Sequence, residues 1–385
     1  MSTRMRAAVL REFGAPLAVE EIDVADPGRG ELLVEIEAAG VCHSDLHYLR
    51  GDLRCPLPVV PGHEGAGRIV ALGPDLREGF AVGDRVALLW RPNCGRCAQC
   101  VAGRPIMCES GPVQAASGGL LDGTSRLSAG GETVHHLLGV SCFAERVVVP
   151  ERSVVRVPDD VPAEIAAIAG CAVITGVGAV LNVIGACLGD AVVVIGAGGV
   201  GLSAVMGARA AGATTVVAVD VDADRLALAT RLGATHVIDG SASGGGGDSG
   251  DSRDTVERLL ALVPGGVPWV VEAVGRPETL ASAVAMLRPG GTAVAVGLAR
   301  VGQRFDIAVN DLVQKQKRVV GSLYGSSIPQ LDLPRIFDLY RSGALPLDEL
   351  IGERFALDDI GAAFEALEHG SVGRSIVVPG REGGR

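Results

Sequence analysis

From Ala191 onward the chain alternates apolar strands with helices: "AVVVIG", "GLSAVMGARAAG", "TTVVAVD", "ADRLALATRLG", "HVID", "PWVVEAVG", "PETLASAVAMLRPG", "GTAVAVG". Strands that read as unbroken Val/Ile/Ala runs are buried on both faces, and the helices between them supply the cover. This half therefore predicts an α/β unit, a doubly wound parallel sheet. The turn after the first strand narrows the reading further. Gly196, Gly198 and Gly201 stand in G-x-G-x-x-G spacing directly after a strand and at the opening of a helix, with Gly199 and Val200 completing the loop. The first glycine permits a tight turn, the second lets a pyrophosphate approach the backbone, and the third allows close helix–strand packing. Asp220 ends the next strand at the distance where a carboxylate accepts bonds from ribose hydroxyls and repels a 2′-phosphate. NAD(H) is thus expected over NADP(H), with Arg225 the one cation that softens the preference. The plain structural alternative, glycines for packing and Asp220 for a turn, explains less of the flanking pattern.

The 385 residues exceed what one core serves, and 48% hydrophobic content is ample for two. Up to about residue 160 the texture is short, alternating and turn-rich: "GELLVEIEAAGVC", "EGAGRIVALG", "GDRVALLW" and "FAERVVVPERSVVRVP" read as β-strands between Gly and Pro. The tail no longer alternates and is expected to return to this first domain. The predicted division is 1–172 with 325–385 as a β-rich domain and 173–324 as the dinucleotide-binding domain. Between Ile165 and Gly189 no residue is charged, and Gly185 with Gly189 forms a GxxxG. A membrane span is weighed and set aside, because glycine recurs and Asp190 leads straight into a strand. The polar, low-complexity run from Asp239 to Asp254 reads as a surface loop.

A formal net charge of −11 and the lack of any Lys/Arg-rich run exclude nucleic acid as a partner class. Lys315 and Lys317 are the only lysines. Both fall in one polar run that reads as solvated surface, which argues against Schiff-base chemistry. The opening "MSTRMRAAVLREFGAPL" interrupts its apolar run with Arg11 and Glu12 and does not read as a secretory signal. The expectation is a cytoplasmic protein whose cysteines stay reduced, where clustered thiols are ligands or catalysts rather than disulfides.

Cys94, Cys97, Cys100 and Cys108 follow C-x2-C-x2-C-x7-C in a loop with Gly95, Gly103 and Pro105. Four thiolates around Zn²⁺ would make a closed, structural site. An iron–sulfur cluster is the rival, since the first two spacings match a ferredoxin run, though the third is longer and no proline follows. Other potential ligands are dispersed: "GVCHSDLH" carries Cys42, His43, Ser44, Asp45 and His47, "PGHEGAG" carries His63 and Glu64, and "AGCAVITG" carries Cys171. Taken singly each is weak, and Cys171 reads equally as a small core residue. Cys55, Cys142 and Cys187 read as packed thiols.

Together these motifs resemble the zinc-dependent medium-chain alcohol dehydrogenases. The resemblance rests on the four-cysteine loop, "GHEGAG", "GAGGVG" and "DGTSR…HHLLGVSCFAE", and it runs over essentially the whole chain. The last stretch is similar to the long-loop branch that includes glutathione- and mycothiol-dependent formaldehyde dehydrogenases. The resemblance implies a GroES-like catalytic domain beside the Rossmann sheet, with two zinc ions per chain. Cys94, Cys97, Cys100 and Cys108 would hold a structural ion, and Cys42, His63 and Cys171 a catalytic one with its fourth position open. Asp45 would hydrogen-bond His63, and Glu64 would lie behind the ion. Ser44 and His47 would relay the alcohol's proton to the surface while hydride passes to NAD. It further implies coenzyme contacts at Val296, at Arg374 on the pyrophosphate, and at His43, where the family often has Arg. Leu53, Trp90, Leu137, Leu138 and Leu298 would wall an apolar pocket for primary alcohols with hydrocarbon or aryl bodies. A homodimer is expected, with a tetramer as the other assembly.

Three other readings stay in view. An S-(hydroxymethyl)thiol substrate would need cations for its adduct, and only Arg54 and Arg126 are near. A zinc-free enone or quinone reductase would lack the ligands and the Ser44/His47 pair. A non-catalytic NAD(H) sensor would keep the glycine loop but need no open metal site.

Overall fold

The computed structural model describes residues 2–111, 116–241 and 252–381. Most of the low-complexity run around residue 245 lies outside the described residues. The chain divides into two compact units: Met1–Cys171 with Ile328–Arg341 and Ile351–Arg385, and Ala172–Ser327 with Ser342–Leu350. The short segment Ser342–Leu350, read from sequence as part of the first domain, groups with the second unit.

In the second unit six strands pair in parallel in the spatial order His236–Asp239, Thr215–Asp220, Ala191–Ile195, Val267–Glu272, Leu287–Ala295, Arg318–Gly321. The strand order reverses beside Ala191–Ile195, so the glycine loop that follows this strand lies at the topological switch point, where open parallel sheets bind their ligands. Val192, Val193 and Val194 are fully buried, as a strand covered on both faces requires. The uncharged run forms the helical stretch Ala163–Ile184, long and apolar enough to span a bilayer, yet 72% of its most apolar window is buried inside the protein. Gly185 ends it at φ +81° and Gly189 turns the chain at φ +78°, so this pair serves chain reversal rather than helix pairing. One expectation is overturned. Lys317 is buried, because its Nζ donates to the carbonyl of Val284, 2.8 Å away near the end of the helix Pro277–Ala285, and pairs with Asp311 at 3.0 Å. A cation at the carbonyl end of a helix answers its unpaired acceptors, which sequence polarity does not reveal.

The first unit is built from a five-stranded and a seven-stranded sheet. In the larger sheet Glu31–Gly40 pairs antiparallel with Glu64–Leu72, and the late strand Arg374–Val378 pairs with it on the other side. Gly40 is opposite both Glu64 and Ile376, so Cys42, His63, Glu64 and Arg374 arrive at the same end of the sheet. The tail therefore does return to the first unit. In the smaller sheet His136 closes the strand Glu132–His136 and is 1% exposed. Its Nε2 accepts the Arg126 N–H at 3.2 Å, and its Nδ1 has no partner among the described residues.

Burial, with Arg126 nearby, pushes the His136 imidazole down to about 3 from its ordinary 6.5. The folded state thus binds fewer protons than the unfolded chain between these values, so the neutral ring's contribution is complete above pH 6.5 and is lost as pH falls toward 3. Urea unfolding at pH 6.5 and pH 4.5 should show wild type losing stability relative to His136→Asn by up to about 1.4 kcal/mol per pH unit.

Candidate active site and dinucleotide loop

Cys42 caps the N-terminus of the short helix His43–Leu49 in extended conformation, two residues beyond the strand that ends at Gly40. His63 precedes and Glu64 opens the neighbouring strand, just after Gly62, whose φ of +93° and whose contact with Phe143 leave no room for a Cβ. Cys171 comes from the π-helical turn Ala169–Val173, a widened turn of the kind that re-aims side chains at functional sites. Gly170 beside it lies so close to the Leu88 carbonyl that a Cβ would stand 2.6 Å from the oxygen. One ligand atom each of Cys42, His63, Glu64 and Cys171 lies within 4.8 Å of the other three, all four residues being buried. Three elements distant in sequence thus converge on one point.

Charge compensation around that point is dense. Asp45 is fully buried, and its Oδ1 accepts from His63 Nδ1 at 2.9 Å and from the Gly62 N–H at 3.2 Å. A carboxylate oxygen accepts, so Nδ1 is the donor in this bond and Nε2 is the nitrogen available to an ion. Arg374 donates from Nη2 to Glu64 Oε1 at 2.8 Å and toward Cys42 Sγ at 3.7 Å, and from Nη1 to the Val41 carbonyl at 3.1 Å. The hydrogen bond with Cys171, helped by Arg374 and His63, holds the Cys42 thiol well below its usual range. The same bond and burial push Cys171 up. Burial raises the Glu64 carboxyl to about 8 against the pull of Arg374. Two sulfurs and one imidazole nitrogen at this spacing fit a tetrahedral Zn²⁺, whose ligand atoms stand about 3.5–4 Å apart for bonds of about 2.1–2.3 Å. Iron–sulfur ligation would need more thiolates than this point offers.

The four-cysteine loop forms a second donor set: Cys94, Cys97, Cys100 and Cys108 also bring their sulfurs within 4.8 Å of one another. The turns Ala98–Val101 and Pro105–Met107 fold the loop back on itself. N–H groups of Arg96 and Cys97 stabilise the Cys94 thiolate and bring that thiol down to about 6. All four donors come from protein and are sulfur, the composition of a closed structural zinc site.

In the second unit Gly196 takes φ +93°, and Gly198 caps the helix Gly199–Ala210 with open space where a Cβ would stand. Gly201 packs so tightly that a Cβ would lie 1.6 Å from the Gly196 carbonyl oxygen. Gly196 thus makes the turn, Gly201 permits the close packing, and Gly198 leaves its side of the loop open. Asp220 Oδ2 accepts the Ala197 N–H at 2.6 Å and Oδ1 accepts from Val221 and Asp222. The carboxylate braces both turns at the strand ends, so it does turn-capping work. Arg225 lies near Asp222, Nε to Oδ2 at 4.0 Å, on the helix Ala223–Arg231. Val296 is half-buried just past the strand Leu287–Ala295, its N–H bonded to the Glu272 carbonyl.

Other expected residues have mixed positions. Ser44 and His47 lie half-buried on the Cys42 helix, and His43 is exposed at its start. Leu137 is a correction: it is 1% exposed in the hydrophobic core, because the bond from its N–H to Ser141 Oγ turns the chain inward. Leu138 and Trp90 pack on that core from outside, Trp90 edge-on to His63 at 6.2 Å between ring centroids. Leu53 is half-buried, and Leu298 is exposed on the second unit. Sequence reasoning missed two partners: Glu64 for Arg374, which the resemblance had assigned to pyrophosphate, and Asp52, whose Oδ2 stands 3.0 Å from His47 Nδ1. The short spacing across Gly51 was the only signal for the second.

Residues 28–159 match the alcohol dehydrogenase GroES-like domain family and residues 199–341 the zinc-binding dehydrogenase family. The chain is 37% identical to a geraniol dehydrogenase of Castellaniella defragrans, over 97% of each chain. It is 35% identical to an S-(hydroxymethyl)glutathione dehydrogenase of Synechocystis, over 97% of this chain and 99% of that one. Among solved structures it resembles the benzyl alcohol dehydrogenase of Acinetobacter calcoaceticus, with a TM-score of 0.89 and 34% identity over 98% and 99% of the two chains.

The register at Gly40 generates a stability prediction. A Cβ there would stand 2.3 Å from Glu64 Oε2 and 3.2 Å from Glu64 Cβ, levering the carboxylate off Arg374. Gly40→Ala should cost about 3 kcal/mol in urea unfolding, the scale of breaking a buried ion pair. Gly361→Ala, with nothing near its Cβ, should be neutral or mildly stabilising.

Proposed function

The chain belongs to the zinc-dependent medium-chain alcohol dehydrogenase family, oxidoreductases acting on alcohols, and from that premise we propose that it interconverts primary alcohols of hydrocarbon or aryl body and their aldehydes with NAD(H). The observation that carries the reading is the buried convergence of Cys42, His63 and Cys171 within 4.8 Å. Zinc held there would supply a Lewis acid for the substrate oxygen. The chain's own residues do the rest. Asp45 fixes the His63 tautomer and ring angle. Ser44 and His47 take the alcohol proton toward solvent, and a near-neutral imidazole suits that terminal step. The glycine loop seats the coenzyme pyrophosphate, and Asp220 favours an unphosphorylated ribose. In the first unit the buried Arg374 Nε is unpartnered among the described residues, which supports its reading as an anion contact.

The relatives named for geraniol and for benzyl alcohol support an apolar primary alcohol. The relative named for S-(hydroxymethyl)glutathione keeps a thiol adduct as the second reading. Against it, Arg126 is committed to Glu31 and Asp122, and Arg54 stacks 4.9 Å over the Phe13 ring, so neither offers an idle cation for a charged adduct. The free thiols of all nine cysteines suit the reducing cytoplasm. A homodimer through the second unit is supported by exposed Val301, Val309 and Val313 beside the edge strand Arg318–Gly321.

NADH absorbance with geraniol, benzyl alcohol and S-(hydroxymethyl) adducts of glutathione and mycothiol, each with NAD or NADP, tests the reading. Turnover of the first two with NAD, with about two zinc per chain, is expected. Cys171→Ala should lose one ion and at least about 10³-fold in kcat/KM, on the scale of a lost electrostatic catalyst. Unchanged turnover in that variant would overturn the mechanism. Sedimentation velocity should show a dimer that Val309→Asp with Val313→Asp dissociates.

A further inference from the structure

The turn that follows the Cys42 helix is tethered on both sides. Arg50 N–H bonds the Leu46 carbonyl at 2.9 Å, Gly51 N–H the Tyr48 carbonyl at 3.1 Å, and Leu53 N–H the His47 carbonyl at 3.1 Å. The Gly14 N–H bonds the Leu49 carbonyl at 2.7 Å, and Gly51, at φ +76°, packs against Phe13, where a Cβ would come within 3.1–3.4 Å of three Phe13 side-chain carbons. The Arg54 guanidinium stacks over the Phe13 ring, 4.9 Å from its centroid. The chain is thereby folded back so that the Asp52 carboxylate meets the imidazole of His47, Oδ2 to Nδ1 at 3.0 Å, with side chains 22% and 33% exposed. Among the described residues Asp52 is the titratable group hydrogen-bonded to this ring.

We propose that Asp52 is a positioning residue for the proton exit: it holds His47 with its proton on Nδ1 and keeps Nε2 unprotonated as the acceptor. The physical reason is one of valence. An ionised carboxylate has no proton to give, so the ring nitrogen facing it must donate, and a neutral imidazole then has its lone pair on the other nitrogen. The free imidazole side chain prefers no such arrangement, and a half-exposed ring without a fixed partner would rotate and exchange tautomers. The proton of the alcohol hydroxyl arrives at Nε2, giving an imidazolium whose charge the carboxylate offsets, and one proton then leaves to water, restoring the starting ring. Asp52 itself gives up no proton in this cycle and touches no reacting atom. The inference rests on the relay reading of Ser44 and His47.

The test uses the zinc-loaded full chain. In long-range ¹H–¹⁵N spectra, with His47 assigned by loss of its signals in His47→Gln, wild type should show a protonated Nδ1 and an unprotonated Nε2. Asp52→Leu should shift His47 to the Nε2–H form or to averaged signals and lower kcat about tenfold with KM for the alcohol little changed. Asp52→Asn, which can still accept through its carbonyl oxygen, should keep the tautomer and lose less. An Nε2–H tautomer in wild type, or Asp52→Leu matching wild type in both tautomer and kcat while His47→Gln is slow, would overturn the assignment to Asp52. An unslowed His47→Gln would instead sink the relay reading itself, whatever the tautomer of wild type. If Asp52→Leu does not fold, Asp52→Asn carries the test, with an unchanged kcat overturning the role of the charge.

Discussion

Burying charge in apolar surroundings is costly unless every charge finds a partner, and the end of the seven-stranded sheet that carries Cys42, His63 and Arg374 is organised around that constraint. Asp45, Glu64, Arg374, His63 and the Cys42 thiolate all lie out of reach of water. Arg374 meets Glu64 and Cys42, while Asp45 meets His63 and the Gly62 N–H. Removing any one member leaves another unmatched, so the cluster is held in one arrangement. The oxygens Asp45 Oδ2 and Glu64 Oε2 have no hydrogen-bond partner among the described residues. A cation among the sulfurs would be attracted by both, which makes the same network a seat for a metal and a source of strain without one.

The backbone does much of this positioning through contacts that side chains cannot supply. Gly62, Gly170 and Gly201 stand where a Cβ would meet Phe143, the Leu88 carbonyl and the Gly196 carbonyl. Each allows two segments to come closer than any other residue would. The widened turn at Ala169–Val173 serves the same end by directing Cys171 out of an otherwise apolar helical run. Close packing of backbone against backbone is what lets ligand atoms from three segments meet within a few ångström.

Much of the dinucleotide half was legible because its signals are local. The apolar runs, the spacing of Gly196, Gly198 and Gly201, and Asp220 at the strand end all lie within about thirty residues, where secondary structure alone sets the geometry. The cysteine loop was legible for the same reason. Less legible were positions set by long-range packing. Leu137 reads as a pocket wall but is core, Lys317 reads as surface but is drawn in by a helix end, and Arg374 meets Glu64 across more than three hundred residues of chain.

The linear order of residues alone determined the parallel α/β unit, the glycine loop, the four-thiol set and the donor types available to a second ion, because each follows from periodicity, spacing or side-chain chemistry. The resemblance named Cys42, His63 and Cys171 with Asp45 beside His63, but only the tertiary structure brings those atoms within 4.8 Å, and it alone decided that Glu64 meets Arg374 and that Asp52 faces His47. Those outcomes depend on strand register, on a shift of one residue that would turn every side chain to the other face, and on the turns at Gly51 and Gly62. Such geometry is a property of pairing between distant segments, and no single stretch of sequence encodes it.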